Sequence, residues 1–353
     1  MNRPIKNIGI ISHGLHWNEN NGIFDPAKYH QYGDNLEYPF ILLKRTLKEK
    51  GIEINTLDMH PLDEFDSVLF HNYPLRKYIP AGAIPEELRK AGKKSFLILA
   101  ENDMKVPENW KTENHIFFDK VFTWSDMLIN DKKYIKLMLP VKIPELKEID
   151  LSKKDKLCAL IAQNQSVEYP QELYSERIKA IRWFERYHPG DFDLYGFAGW
   201  DSDFIKRLSV SSITKLLCLF KPIRRMLDKD YYSSYKGPAV SKNEVLSRHK
   251  FAICYENARD MPGYITEKIF DCFFAGTIPI YWGAPNIKDF VPENAFIDKR
   301  KYPTYELLYE YITKMPNSEY LDYIENIQKF VSGDKIKLFS AEHFANTLLN
   351  NIL

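Results

Sequence analysis

The sequence predicts an α/β fold of two consecutive domains, each built around a parallel β-sheet. In both halves of the chain, short apolar runs with strand character alternate with segments of helical periodicity. A polar, charged stretch separates the two halves, and no internal repeat or low-complexity tract is present. A length of 353 residues is sufficient for two domains, and an apolar content of 44% provides for two cores and argues against disorder.

The first half shows this alternation most regularly. Apolar runs bounded by polar or turn residues predict strands at 8–11, 53–57, 67–70, 95–99 and 120–123. Helical spacing predicts one helix at 38–50, which Gly51 ends, and another near 85–91. Such an order is typical of a parallel sheet whose strands are connected by helices.

A linker is predicted near 144–156, where the sequence reads PELKEIDLSKKDK. We therefore expect a first domain at 1–150 and a second at 151–335, which begins with a strand at 157–162, a helix at 171–187 and a strand at 192–195. The tail from 305 is amphipathic and helical, and its end, 336–353, can pack back on the first domain.

Charge and cysteine content exclude several classes of function. The formal net charge of +1 gives no support for a general nucleic-acid-binding protein. Cys158, Cys218, Cys254 and Cys272 show no CxxC spacing, and three of them lie in apolar strand or helix patterns. Buried thiols are therefore favoured over disulfides or a zinc site, as expected for a reducing cytosol.

The most informative segment is 251–298. It contains a predicted strand at 251–255, a polar loop, a helix that opens at Thr266 and stops at Gly276, and a strand at 277–282. In parallel sheets, ligands bind beyond the carboxyl ends of the strands.

Five polar or aromatic side chains of this segment are expected to collect at that sheet edge: Glu256, Asn257, Tyr264, Glu267 and Lys268. A helix N-terminus with a lysine in its first turn is suited to bind phosphate. The alternative is that Glu267 and Lys268 form a solvated first-turn pair on an amphipathic helix.

The amino-acid sequence of this segment also resembles that of a known family. CYEN, GYITEKIFD, FAGTIPIYWG and APNI are similar to the donor-site signature of the α-1,3/4-fucosyltransferases of glycosyltransferase family 10, bacterial type. The resemblance implies the GT-B fold, in which two Rossmann-like domains face each other across a cleft. It also implies inverting transfer of L-fucose from GDP-fucose, with no metal or other cofactor.

The resemblance implies roles for individual residues on the donor side. Thr266, Glu267 and Lys268 would bind the nucleotide-sugar, with Arg177 of the helix at 171–187 as a second cation and Arg182 as the runner-up. Tyr235 and Lys236 of the Tyr-Lys-Gly sequence are also expected near the nucleotide.

A catalytic base is expected in the first domain. Glu101 follows the strand at 95–99, where an α/β enzyme places such a group, and it matches the proposed catalytic glutamate of the family. Asp103 stands where the family usually has proline, which leaves the register open by two residues. The alternative for Glu101 is a capping carboxylate at the strand end.

Three residues after the first strand, His13, His16 and Trp17, are candidates for contact with the acceptor, with a simple loop role as the alternative. Asp201 and Asp203 match a DxD metal motif but follow an aromatic loop instead of a strand end, so we expect no metal site there. The apolar and basic segment 213–229 is suited to a peripheral contact with an anionic membrane or to a helix packed on the domain.

The sequence therefore predicts a glycosyltransferase that moves L-fucose from GDP-fucose to a hydroxyl of an oligosaccharide or lipid-linked glycan. The expected linkage is α-1,3 to a GlcNAc- or Glc-type sugar of a bacterial surface polysaccharide or lipopolysaccharide. With no signal peptide and no anchor in the sequence, we expect a cytoplasmic protein, peripheral on the inner membrane. The alternatives are another GDP-deoxysugar donor or a non-catalytic carbohydrate-binding protein.

Overall fold

The computed structural model of this chain describes residues 5–29, 35–73, 79–80, 82–145, 148–197, 199–200 and 231–353. Within these ranges the chain forms two α/β domains, each with a fully parallel sheet. The predicted fold class is therefore confirmed.

The first sheet has six strands in the order β2-β1-β3-β4-β5-β6. These are β1 Asn7–Ser12, β2 Glu53–Thr56, β3 Ser67–His71, β4 Lys94–Leu99, β5 Lys120–Thr123 and β6 Tyr134–Lys136. The helices of this part of the chain are α1 Tyr38–Glu49, α2 Pro85–Lys90 and α3 Thr112–His115.

The second sheet has five strands in the order β11-β10-β9-β7-β8. These are β7 Lys156–Ile161, β8 Phe192–Tyr195, β9 His249–Tyr255, β10 Ile278–Trp282 and β11 Ile297–Asp298. The helices are α4 Tyr174–Tyr187, α5 Lys242–Ser247, α6 Glu267–Phe274, α7 Ile287–Phe290, α8 Tyr305–Lys314, α9 Asn317–Ser332 and α10 Ala341–Ile352.

The start of α4 differs from its prediction for a physical reason. The pattern predicts a helix from residue 171, but α4 begins at Tyr174. The preceding backbone is used in another way: Leu173 N donates to Asn257 O at 3.0 Å, and Arg259 N donates to Gln171 O at 2.8 Å. This pairing holds the first turn of α4 beside the end of β9.

The last helix completes the core of the first domain. Phe344, Leu348 and Ile352 of α10 are buried in the same apolar cluster as Ile8 of β1 and Phe40 of α1. The chain reaches this position by passing beside its own linker, because Val141 N donates to Phe339 O at 2.7 Å and Ala341 N donates to Val141 O at 3.1 Å. The segment at Val141 and the segment at 339–341 therefore pass side by side between the domains.

Two sequence features lie outside the described residues. These are the DxD motif with Asp201 and Asp203, and the basic segment 213–229. Among the helices that the structure describes, none combines the length and the apolar character that membrane crossing requires.

Replacing Leu348 by alanine should destabilise the first domain, because this side chain of α10 is fully buried. We expect the free energy of unfolding to fall by about 2–5 kcal/mol, measured by urea denaturation. Leu307→Ala on α8 is the matched control, since Leu307 is 48% exposed, and should change stability by about 0.5 kcal/mol or less. Equal effects of the two variants would show that α10 is not part of this core.

Candidate active site

The cleft between the two sheets contains a cavity of about 670 Å³, which is lined from both domains. The first domain contributes residues that follow β1 and β4, among them His13 and Glu101. The second contributes the ends of β7, β8 and β9 and the start of α6. The carboxyl ends of both parallel sheets therefore face one cavity, which is where α/β proteins bind ligands.

A buried carboxylate fixes the N-terminus of α6. Glu256, directly after β9, is fully buried and accepts hydrogen bonds from Thr266 N at 2.8 Å and Thr266 Oγ1 at 2.7 Å. Thr266 is the N-cap of α6. Lys268 Nζ lies 3.0 Å from Thr266 Oγ1 and 3.5 Å from Glu256 Oε2. Lys268 is thus held in the first turn of the helix while it lines the cavity.

Opposite charges around Lys268 keep this lysine and its neighbour ionised. Burial acts to lower the pKa of Lys268, but the carboxylates of Glu267 and Glu256 outweigh burial and raise it. Burial acts to raise the pKa of Glu267, but Lys268 and Lys242 lower it to about 2. Burial raises the pKa of Glu256, and Lys268 offsets part of that increase.

Arg177 lies beneath the same sheet edge. Its NH2 group donates to Tyr255 O at 2.7 Å, to Glu256 O at 2.9 Å and to Asn257 Oδ1 at 3.1 Å. The residue is buried and lines the cavity. Arg177 therefore holds the end of β9 and also places a cation at the wall of the cleft.

Glu101 is held by its backbone and not by its carboxylate. Its N–H donates to Asn72 Oδ1 at 2.8 Å, and its carbonyl accepts from Asn109 Nδ2 and Trp110 Nε1, both at 3.1 Å. Its carboxylate makes no hydrogen bond or ion pair with any residue that the structure describes. Burial raises the pKa of Glu101, and Lys105 and Lys268 partly offset that effect. The carboxylate is thus half-buried, unpaired within the described chain and within electrostatic reach of Lys268.

His13, His16 and Trp17 lie on the first-domain side of the cavity. Trp17 packs between His16 and Tyr29, with ring centroids 4.1 Å from each. His13 Nδ1 lies 3.2 Å from Asn72 Nδ2. This corner of the cavity combines aromatic surface with a polar imidazole.

Tyr235 and Lys236, predicted to be near the nucleotide, do not line the cavity. Tyr235 OH donates to Gly196 O at 2.8 Å, and Lys236 Nζ lies 3.3 Å from Asp193 Oδ1. Both are held along the edge of β8, where Lys236 N also donates to Leu194 O at 2.8 Å. Their donor-binding role stays a prediction.

Sequence reasoning missed several residues that line the cleft. They are Lys105, Gln163, Gln165, Phe197, Val240, Lys242 and Asp271. The two glutamines follow β7, so the strand-end rule applied to the segment at 157–162 would have found them. Lys242 and Asp271 carry no such signal, because they meet only through the packing of α5 on α6.

A known protein family matches the part of the chain that forms the second-domain side of this cleft. Residues 219–343 match the model of the C-terminal domain of glycosyltransferase family 10, the fucosyltransferases. Over these residues the chain is similar to a glycosyltransferase family 10 domain. Glu256, Thr266, Glu267 and Lys268 all lie within the matched range, which confirms the resemblance in their sequence, whereas Glu101 lies outside it.

Curated relatives match over limited stretches. The α-(1,3)-fucosyltransferase FucT of Helicobacter pylori is 45% identical over 73 residues, 20% of this chain and 15% of the relative. α-(1,3)-fucosyltransferase B of Drosophila melanogaster is 34% identical over 131 residues, 36% of this chain and 28% of the relative. The chain thus matches less than a third of the length of either relative.

Solved structures extend the likeness of fold over the whole chain. A crystal structure of an α1,3-fucosyltransferase with GDP has a TM-score of 0.54 at 18% identity, and the alignment covers 99% of this chain and 92% of that one. An α-glucosyltransferase in complex with UDP-glucose and DNA has a TM-score of 0.55 at 10% identity, with 99% of both chains covered. The fold of this chain is therefore GT-B.

Among the described residues, no group of three or more His, Cys, Asp or Glu side chains is arranged to hold a metal ion.

Thr266→Val should destabilise the donor domain more than the loss of an ordinary N-cap, because it removes a hydrogen bond to the buried carboxylate of Glu256. We expect a loss of about 1–3 kcal/mol in the free energy of unfolding. Thr304→Val is the control: Thr304 caps α8 at an exposed position, where its side chain accepts from Leu307 N at 3.3 Å, and the change should cost about 1 kcal/mol or less. Equal costs in denaturant titrations would contradict the anchoring role of Glu256.

Proposed function

We propose that this protein is an inverting fucosyltransferase that moves L-fucose from GDP-fucose to a hydroxyl group of a glycan. The observation that supports this most directly is Lys268 in the first turn of α6, inside the family 10 range and at the wall of the interdomain cavity. The fold alone does not select the donor, because glycosyltransferase structures in complex with UDP-glucose, or with UDP and glucose, fit it equally well. The family 10 segment is what favours a GDP-sugar.

The donor half of the cleft is suited to a nucleotide diphosphate leaving group. The free N–H groups at the start of α6 and its helix dipole favour negative charge, and Lys268 adds a cation at the same place. Arg177 provides a second cation from the start of α4. These groups would stabilise the charge that develops on the β-phosphate as the bond to the sugar breaks.

The acceptor half would supply the base. Glu101 reaches the cavity from the other domain, and its carboxylate has no partner among the described residues. A carboxylate with a raised pKa is a stronger base than an exposed one, so Glu101 is suited to take the proton of the attacking hydroxyl. Attack from the first domain on a donor held by the second would invert the configuration at the sugar carbon.

Transfer in this proposal needs no metal ion. Lys268, Arg177 and the N-terminus of α6 would stabilise the negative charge of the leaving group, which a metal cation would otherwise neutralise. Activity that disappears with EDTA and returns with Mn²⁺ would contradict this part of the proposal.

The acceptor that we propose is a GlcNAc- or Glc-type sugar of a bacterial surface polysaccharide or lipopolysaccharide, joined through an α-1,3 linkage. We place the reaction in the cytoplasm, at the inner face of the membrane. Support comes from the bacterial relative and from the basic segment 213–229. An acceptor array with GDP-fucose as the donor tests the substrate directly.

Lys268→Ala should weaken GDP binding by about tenfold to a hundredfold, the size of one charge-assisted contact with phosphate. Isothermal titration calorimetry measures the change. Lys179→Ala is the control, since Lys179 lies on the exposed face of α4 and pairs with Glu176. Unchanged GDP affinity in a folded Lys268→Ala protein would refute the donor site.

Glu101→Gln should lower turnover by about a hundredfold to ten-thousandfold, because the amide keeps the shape of the carboxylate but accepts no proton. GDP affinity should stay within about threefold, since the residue belongs to the opposite domain. Glu108→Gln is the control: Glu108 forms an exposed pair with Lys111 at 2.6 Å. A collapse of turnover in Asp103→Asn, with Glu101→Gln active, would move the base by two residues.

A further inference from the structure

One buried hydroxyl in the wall of the cavity has no hydrogen-bond partner among the described residues. Tyr174 is the first residue of α4, is only 4% exposed and lines the interdomain cavity. Its phenolic oxygen is buried, yet it makes no hydrogen bond with any residue that the structure describes. Because buried hydroxyls are nearly always hydrogen-bonded, an exception in a cavity wall points to a ligand. No step of the proposed reaction so far uses this residue.

The surroundings of this hydroxyl are cationic. Arg177 Cζ lies 5.0 Å from the centre of the Tyr174 ring, and Lys105 Nζ of the first domain lies 5.4 Å from it. The phenolic oxygen is also within electrostatic reach of Arg177 and Tyr264, which both line the cavity. Arg177 in turn lies within electrostatic reach of Lys268 at the start of α6. The hydroxyl of Tyr174 therefore lies in the part of the cleft where cations of both domains converge.

Two other tyrosines beside α4 have partners within the protein. Tyr169 OH, in the preceding loop, donates to both oxygens of Asp103 at 2.8 and 2.7 Å. Tyr305 OH donates to Glu176 O of α4 at 3.0 Å. The fold thus supplies acceptors to tyrosine hydroxyls in this region. Packing alone would be served equally well by phenylalanine at position 174, so the hydroxyl itself requires an explanation.

The nearby charges indicate which ligand atom this hydroxyl would meet. A tyrosine hydroxyl can donate or accept a hydrogen bond, so its surroundings decide its role. The cations Lys105, Arg177 and Lys268 attract an anionic oxygen, which accepts hydrogen bonds and does not donate them. Hydrogen bonds to such charged oxygens are stronger than those between neutral groups. The phenol is therefore suited to donate to a phosphate.

We propose that the Tyr174 hydroxyl donates a hydrogen bond to a phosphate oxygen of the nucleotide-diphosphate donor, next to Arg177. The inference rests on the proposed function for the identity of that ligand. Tyr174 and Arg177 both lie in the first turn of α4, so one turn of helix presents a neutral hydrogen-bond donor and a cation to the same group. The start of α4 would thereby bind the diphosphate together with the start of α6.

Tyr174→Phe removes the hydroxyl and keeps the ring that packs beside Arg177. GDP affinity, measured by isothermal titration calorimetry, should fall by about tenfold to a hundredfold, the effect of a lost hydrogen bond to a charged group. The Tm measured without nucleotide should stay the same or rise by up to about 4 °C, because the change removes a buried hydroxyl that has no partner in the described chain. A merely structural hydroxyl would instead lower the Tm when it is removed.

Tyr320→Phe is the matched control. The Tyr320 hydroxyl is also buried without a partner among the described residues, but Tyr320 lies on α9, packs against Phe251 and is outside the described lining of the cavity. This variant should show the same effect on the Tm, with GDP affinity unchanged. Equal GDP affinity of the two variants would overturn the contact. A fall of the Tm by more than about 4 °C in Tyr174→Phe would overturn it as well, since the hydroxyl would then have a partner within the protein.

A comparison of GDP with GDP-fucose identifies the part of the donor that is bound. The loss of affinity in Tyr174→Phe should be the same for both, because both carry the diphosphate. A loss for GDP-fucose alone would assign the hydroxyl to the sugar and overturn the contact with phosphate. Failure of the proposed function is distinguishable from these results. An unchanged protein that binds no GDP would refute that function together with the contact, whereas unaltered GDP affinity in Tyr174→Phe refutes the contact alone.

Discussion

The geometry of the donor half depends on a single buried carboxylate, that of Glu256. A fully buried carboxylate is costly unless it is paired and hydrogen-bonded, and Thr266 and Lys268 supply both requirements. The polar groups of the segment from Glu256 to Lys268 are therefore partners of one another. The carboxylate after β9 accepts from the helix cap Thr266, and the first-turn Lys268 lies beside both. The α6 N-terminus is consequently preorganised, with its lysine directed to the cleft before any ligand binds.

The two domains use opposite means to present charge. At the end of β9 the buried carboxylate of Glu256 holds the backbone at the start of α6, so that the neighbouring Lys268 faces the cavity. At the end of β4 a neutral side chain, Asn72, binds the backbone of Glu101 and leaves its carboxylate without a partner among the described residues. A neutral anchor matters there, because a cation bound to Glu101 would lower its pKa and weaken it as a base.

Local patterns predicted much of the fold, because buried strands of parallel sheets are continuous apolar runs that can be read from the sequence. The strands that were missed, Tyr134–Lys136 and Ile297–Asp298, have only three and two residues, too few for a recognisable pattern. In the site, the functional residues of the segment from Glu256 to Lys268 could be predicted because they are close in sequence. Asn72 could not, since it joins His13, Glu101 and Asn109 across long sequence separations. Tyr235 and Lys236 carried a local echo of the family, but contacts with Gly196 and Asp193 hold them away from the cavity lining.

The loop that carries Glu101 is also bound to the donor domain. Tyr169 OH donates to both oxygens of Asp103, at 2.8 and 2.7 Å, and Lys105 Nζ donates to Gln165 Oε1 at 2.5 Å. Both contacts lie within four residues of Glu101 and join the first domain to the loop after β7. A change in the angle between the domains would therefore move Glu101, the proposed base, relative to Lys268. Proximity is effective in catalysis only when reacting groups are held in the correct geometry. The carboxylate of Asp103, which the sequence offers as a rival base, is already engaged by Tyr169, so its observed contacts favour a role in holding the two halves of the cleft together.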